Sequence, residues 1–510
     1  MRRNSLMFAG LAVFAIGTAL NLAAQLPSAA GVAPLPRAES VINRSTDPYS
    51  GSIPQGQATN DVIDLTIADA LDRGLKYNLG LFLSSQGTAV ARAQRLQELS
   101  HLLPNINGTF SEEVQRVNLK AFGFKFPGLP SSVGPFGITA TQATGSWEPL
   151  NASSIDRYRA SGETVKAAEF NYRDARDTVV LAVGANYLLL IAQESRLEAT
   201  QAEVKTAEAL YQLAADQEAA GITPNIDTLR ARVQLQAQEE ALIQSENDVE
   251  KQRIALARVI GLPVRQKYRL ADRVAYASVP DVATEGAYEL ALRTRSDYKA
   301  ALAELRAAEL RKSAAWKEYL PSVGASGAYG VLGYTPNAMA PNYSAAATMY
   351  IPIFQGGRVQ ADMKAAEAAL QTRQAQADSL RARIEQEVED SLLDLRAAAR
   401  QVEVARTGLD FAQRALAQSQ DRFAAGVTNN VEVIQAQQQL ASANDSYISS
   451  TFGHNIAKVL LARSIGNAEQ MVKQYLAGNP ALPPTVVAPP AQPAAPENQP
   501  TAAPKSSQAQ

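Results

Sequence analysis

The 510-residue chain has no cysteine, only two histidines (His101 and His454), and aromatic side chains at just 6% of positions. Without cysteine there are no disulfides, no thiol catalysis and no thiolate-bound metal. Two histidines cannot build a multi-histidine metal centre. No excess of either charge is present. Lys and Arg number 48 against 50 Asp and Glu, a net charge of −2, whereas nucleic-acid binders carry a basic surplus. No nucleophile–histidine pair, metal cluster or phosphate loop stands out, so neither catalysis nor a cofactor is expected. Long apolar runs are also missing. The best internal run, residues 179–192, includes Asn186; it falls short of the roughly 20 residues a spanning helix needs and reads as a buried helix face.

Hydrophobic residues make up 46% of the chain, which excludes wholesale disorder but leans on alanine. Length alone suggests about three domains. The ends stand apart from any fold. Arg2 and Arg3 precede an apolar stretch over residues 6–20, and small residues follow. That is the pattern of a secretory signal peptide over residues 1–30, cut after Ala24 or Ala30. Residues 480–510 are rich in Pro, Ala, Gln and Ser and are expected to be a disordered tail. An exported chain without a spanning helix can enter a membrane only as a closed β-barrel.

Internal repetition organises what lies between. His101-Leu102-Leu103-Pro104 recurs as Glu318-Tyr319-Leu320-Pro321. Ala219-Ala220-Gly221-Ile222-Thr223-Pro224-Asn225 recurs 205 residues later as Ala424-Ala425-Gly426-Val427-Thr428-Asn429-Asn430, and Ile260-Gly261 recurs at the same offset as Ile465-Gly466. Heptads at Leu235, Leu242, Val249 and Leu256 repeat in register at Leu440, Tyr447, His454 and Leu461. Each copy reads helix, strand, strand, long helix, tight turn, helix. The long helices, residues 151–219 and 357–424, would extend about 100 Å. The shorter helices flanking each sum to nearly that length, so they can stack end to end beside it. Narrow Leu/Val seams between polar faces suit a curved wall of helices with water on both sides. The expected divisions are a linker or equatorial segment (31–64), a first repeat (65–261), an inter-repeat equatorial segment (262–287), a second repeat (288–466) and a C-terminal equatorial segment (467–479).

The strands, near 105–118, 137–148, 322–333 and 342–351, alternate apolar with polar, clearly in the second repeat and poorly in the 137–148 strand. Strands of about 9–11 residues with an apolar outer face are what a membrane barrel requires, although a soluble hairpin has the same pattern. Four strands cannot close a barrel that needs about eight or more, so closure requires several chains. Trp147, Tyr329, Tyr334, Tyr343 and Tyr350 fall near the expected strand ends, as an interfacial girdle would.

The ordered, duplicated motifs resemble the TolC-like outer-membrane efflux family. The residues that carry the likeness are Leu65-Thr66-Ile67-Ala68-Asp69-Ala70-Leu71, the exits at Pro104 and Pro321, Tyr350-Ile351-Pro352-Ile353-Phe354-Gln355-Gly356-Gly357, and Asp421-Arg422-Phe423-Ala424-Ala425-Gly426-Val427. The resemblance implies an α+β, mostly α fold that trimerises into a twelve-stranded outer-membrane β-barrel continued by an α-helical periplasmic tunnel. It implies a passive exit duct for drugs, metals, small molecules or proteins, in tripartite efflux or type I secretion. The implied partners are a periplasmic adaptor (membrane fusion) protein, an inner-membrane pump of RND, ABC or MFS type, and outer-membrane lipid, with no nucleic acid. By position it assigns Gly221, Ile222, Thr223, Gly426, Val427 and Thr428 to an adaptor-contacting tip. Asp227, Glu432 and Gln435 match the periplasmic constriction, where Gln435 replaces a residue that is often acidic in relatives.

Other features have plainer readings. Glu432 also suits the N-terminus of a helix, which favours a carboxylate. Glu385, Glu387 and Glu389 read as a solvated helix face, His454 as seam packing and Phe423 as tip packing. The Phe-rich segment 120–136 either plugs the outer mouth or extends the strands. The competing function is a periplasmic coiled-coil scaffold or adaptor without a barrel.

Overall fold

A computed structural model describes residues 48–123, 130–272, 284–334 and 337–476. The expected signal peptide, the first half of the 31–64 segment, the 480–510 tail, and Phe124 and Phe126 lie outside the described residues.

Strand β1 (Ile63–Leu65) leads into α1 (Ile67–Tyr77) and α2 (Leu79–Ser100), then the hairpin β2 (Asn105–Asn118) and β3 (Ser132–Leu150). The long α3 (Ala152–Ala219) turns into α4 (Asn225–Ile260). Strand β4 (Tyr268–Leu270), α5 (Thr284–Thr294) and α6 (Ser296–Lys317) follow, then β5 (Ser322–Gly333), β6 (Met339–Tyr350), α7 (Arg358–Ala424), α8 (Asn430–Ile465) and α9 (Ala468–Leu476). The duplication is close in length. Helices α2 and α6 each have 22 residues, α4 and α8 each have 36, and α3 and α7 have 68 and 67.

Several boundaries differ from the sequence expectation. Asn78 does not begin a helix. It caps α2, its Oδ1 accepting the Gly80 N–H at 2.9 Å, so α1 and α2 are separate. Strand β3 starts at Ser132, before the expected 137, because a register shift between Gln115 and Val117 lets pairing resume at Val117 and Val133. Strand β6 spans Met339–Tyr350 rather than 342–351, Met339 pairing with Gly333. Helix α5 starts at Thr284, inside the expected inter-repeat segment, and α9 occupies most of 467–479.

The short helices do meet end to end. Along α3, Thr88 of α2 donates to the Ala168 carbonyl at 3.3 Å, and farther down Gln252 of α4 donates to the Asn186 carbonyl at 3.0 Å. The join is tight. A Cβ on Gly261 would lie 2.7 Å from Tyr77, and one on Gly466 would lie 2.7 Å from the Arg295 backbone. Each junction therefore requires glycine by contact as well as by its left-handed backbone.

The main apolar core gathers at this equator. Val179, Val180, Val183, Tyr187 and Leu190 of α3 are fully buried against Leu65, Leu71, Leu256, Ile260, Leu461 and Ile465. Among the described residues α3 is the one helix long and apolar enough to cross a membrane, and 56% of that stretch is buried inside the protein, as the 179–192 run suggested. Strands β1 and β4 pair in parallel beside it. The Tyr187 hydroxyl donates to the Leu65 carbonyl at 3.0 Å and to Asp272 at 3.2 Å, fixing the β1 strand on the helix.

Charges are buried here too. Arg295, only 3% exposed, is gripped by Asp297 at 2.6 Å and Glu387 at 2.5 Å. Glu387, 42% exposed, thus anchors a buried guanidinium from the edge of the solvated face on which Glu385 and Glu389 are exposed. Arg463 pairs with Asp174 at 2.5 Å. Burial, opposed by Arg463 and reinforced by Asp174 and Glu469, pushes the Asp177 carboxyl up to about 6. Burial likewise draws the Lys458 ammonium down to about 8, and burial together with Lys458 draws His454 down to about 4. His454, 1% exposed, is seam packing.

The four hairpin strands form one antiparallel sheet, ordered β2-β3-β5-β6. Directly paired residues share a face. Gly108, Ala143, Tyr329 and Tyr343 are aligned across it, as are Phe110, Thr141, Val331 and Pro341. The neighbouring rows are polar: Thr109, Gln142, Gly330 and Asn342, then Asn107, Thr144, Ala328 and Ser344. The register therefore sorts the weakly alternating strands into one apolar and one polar face. Tyr329 and Tyr343 pair within the sheet rather than at its ends, and Tyr350 pairs with Ser322 on the polar face, so a simple terminal girdle is not formed. Ile106, Phe110, Val114, Tyr329 and Tyr343 are each at least 70% exposed, so among the described residues nothing covers the apolar face.

A carboxyl whose folded value is raised opposes folding when ionised, so the cost of Asp177 is absent below about pH 4 and complete above its folded value. A rise of this size corresponds to about 3 kcal/mol. Asp177→Asn should raise the melting temperature of the detergent-solubilised protein near neutral pH, and the gain should vanish in acid. Thermal melts followed by circular dichroism across that range check it.

Candidate functional site

The α3–α4 and α7–α8 turns lie about 100 Å of helix from the strands. Both are closed by the same device. The Gly221 and Ile222 amides donate to the Glu218 and Gln217 carbonyls, each at 2.9 Å. The Gly426 and Val427 amides donate to the Phe423 and Arg422 carbonyls at 2.9 and 3.0 Å. This is the helix-ending motif that needs a left-handed residue at its corner. Gly221 and Gly426 supply it with φ of 71° and 70°. The next residues, Ile222 and Val427, are 69% and 70% exposed. Each turn therefore presents an apolar side chain outward on a fixed backbone. Thr223 and Thr428 are partly buried behind them.

The carboxylates behave differently in the two copies, although each lies six residues past its glycine. Glu432 accepts the Thr428 hydroxyl at 2.5 Å and lies 3.5 Å from Arg422. Asp227 is buried and pairs with Arg230 at 3.3 Å. One methylene shorter, it does not meet Thr223, whose buried hydroxyl has no partner among the described residues. Gln435 is exposed one turn farther along α8. The two turns touch through Asn430, 0% exposed, whose amide donates to the Asp227 carbonyl at 2.6 Å. Asp227 and Glu432 are not joined by a hydrogen bond or ion pair among the described residues. Arg422, Arg230 and Asn430 were not singled out from sequence. Arg422 and Arg230 lie within ten residues of the carboxylates they hold, which was the available signal.

Behind the turns a second, small core forms from Leu210, Ala214, Ala231, Leu416, Phe423, Val433 and Ala436. Phe423, 2% exposed, lies within it, with the partly buried Tyr211 packed against it, and so packs the tip.

The family description "outer membrane efflux protein" matches residues 84–262 and 287–467, one segment for each repeat. This chain belongs to the outer membrane efflux protein family. Among curated relatives, the pyoverdine export outer membrane protein OpmQ of Pseudomonas aeruginosa is 27% identical over 78% of this chain and 85% of that protein. The outer membrane protein OprJ of the same organism is 24% identical over 82% and 89%. Among solved structures, the CmeC outer membrane channel of Campylobacter jejuni superposes with a TM-score of 0.71 at 18% identity, covering 86% of this chain and 96% of that one. The VceC outer membrane protein of Vibrio cholerae gives 0.68 at 17%, covering 78% and 96%. The fold is that of outer-membrane efflux channels, the protein is an outer-membrane component of efflux, and the resemblance drawn from its motifs holds.

Truncating Phe423 removes the one fully buried ring among the described residues of the tip core, which is separate from the equatorial cluster. Phe423→Ala should cost about 3–5 kcal/mol of local stability. Hydrogen exchange should quicken at the Val427 and Ala425 amides and stay unchanged at the equatorial Leu461 and Ile465 amides.

Proposed function

We propose that three copies of this efflux protein close a twelve-stranded barrel and form a passive duct across the outer membrane, fed from the periplasm by an adaptor and an inner-membrane pump. The sheet carries this reading. Its apolar face is uncovered, and its order leaves the outer edges of β2 and β6 unpaired. Unpaired backbone groups are not tolerated in lipid, and edge-to-edge closure by further copies satisfies them. A periplasmic scaffold without a barrel would leave that apolar face in water, an exposure that soluble proteins avoid. The polar face then lines the lumen. No step in the path calls for catalysis, so the protein acts as a conduit rather than an enzyme.

The turn end is the periplasmic mouth. Ile222 and Val427, held outward by Gly221 and Gly426, are suited to dock an adaptor together with Thr223 and Thr428. Glu432, Asp227 and Gln435 form the constriction. Three copies of Glu432 make a carboxylate ring that favours cations, and its contacts with Thr428 and Arg422 hold each carboxylate in place. The names of relatives point to small-molecule export as the cargo class.

The protein should require detergent for extraction and run as a trimer resistant to mild SDS. A monodisperse soluble species without detergent would rule the duct out. Two substitutions separate the mouth's roles. Glu432→Ala should weaken multivalent-cation block severalfold in planar bilayers. Gly426→Trp should abolish export while trimer and conductance persist.

A further inference from the structure

A cavity of about 640 Å³ lies where the helices approach the sheet, and all of α2, α3, α6 and α7 contribute to it. A smaller cavity continues it to Ser322 and Tyr350, the pair on the sheet's polar face. That continuity puts the cavity on the side read above as the lumen, so the inference rests on the duct reading.

Its charges divide into a committed and an uncommitted set. Arg157 and Arg358 both hold Glu318, and Arg358 also holds Asp362 at 3.0 Å. These four neutralise one another and stiffen one wall. Arg311, on α6, is bound only to the Thr164 hydroxyl at 2.8 Å among the described residues, which leaves most of its N–H fork unused. Glu98, on α2, makes no hydrogen bond or ion pair among the described residues. The floor between them, from α3 and α6, is small: Ala160, Ala314 and Ala315. Among the described residues the cavity thus offers one cation and one anion without an ion-pair partner, from the helices α6 and α2 that flank α3, over a floor of small residues.

We propose that this cavity binds zwitterionic, amino-acid- or peptide-like cargo, with its carboxylate on Arg311 and its ammonium on Glu98. A simple anion would meet repulsion from Glu98 and a simple cation would meet repulsion from Arg311. An apolar molecule would have to strip water from both. Only a ligand carrying both charges satisfies the pair.

Saturation-transfer NMR on the full-length protein in detergent, with triglycine as the probe, tests this. Triglycine should show saturable transfer. Arg311→Gln and Glu98→Gln should each weaken it roughly tenfold, as expected for one lost charge-assisted hydrogen bond. Triglycine acetylated at its amine and amidated at its carboxyl should show little transfer. Exchanging the charges, Glu98→Arg with Arg311→Glu, should restore binding with the peptide reversed. Equal transfer from the blocked peptide, or a double exchange no better than the single variants, would overturn the proposal. Planar-bilayer conductance of the same preparation reports on the duct separately. Conductance without triglycine transfer rejects the cavity alone, and absent conductance rejects the duct.

Discussion

Backbone hydrogen bonding in a medium without water is the constraint on which the rest of this protein depends. A strand placed in lipid must pair along both edges. One copy of the repeat supplies two strands and the chain supplies four, too few to close on themselves. The register turns that shortage to use. Pairing across β2, β3, β5 and β6 sorts side chains that alternate only weakly along each strand into a continuous apolar face and a continuous polar face. Among the described residues nothing covers the apolar face or pairs the outer edges of β2 and β6, and the proposed closure in lipid rests on both.

The helices solve a different problem. A wall wet on both sides cannot rely on a thick core, so stability is concentrated at the equator. There α3, α4, α8, α9 and the β1–β4 ladder converge on one apolar cluster. Buried ions accompany it. Arg295 is held by two carboxylates and a backbone carbonyl, whereas burial, with Asp174 and Glu469 nearby, disfavours the ionised form of Asp177 despite Arg463. Ion pairs of this kind contribute orientation more than net stability, and here they fix α6 against α7 and α8 where the second pair of short helices abuts. Toward the turns the core thins to a few residues around Phe423, so the wall is firm at its middle and lightly held at its tip.

Much of this was legible in the sequence because duplication repeats the signal. The offset of 205 residues located both turns, both junction glycines and the matched helices, and prolines marked the strand entries. Of the motifs that carried the family likeness, the structure places Asp421–Val427 at the turn and the others at the equator and where helices meet strands. What was not legible depended on pairing between distant residues. The start of β3 follows from a register shift on its partner. Tyr350 belongs to the polar face because it lies opposite Ser322, and Glu387 is an anchor because Arg295 arrives beside it from 92 residues away. At the turns, sequence matched Asp227 with Glu432, yet the difference of one methylene leads the first to Arg230 and the second to Thr428. Asn430 was visible as the repeat counterpart of Asn225, but nothing local showed that it ties one turn to the other through Asp227.

The unbroken length of α3 has a mechanical consequence. The helix is clamped near residues 179–190 and runs on without a break to Ala219, so that its lower part is a lever about 45 Å long. One degree of rotation about the clamp carries its end by about 0.8 Å over that length. A tilt too small to disturb the close packing of the equator is therefore magnified, at the far end, into a displacement comparable with the width of an ion.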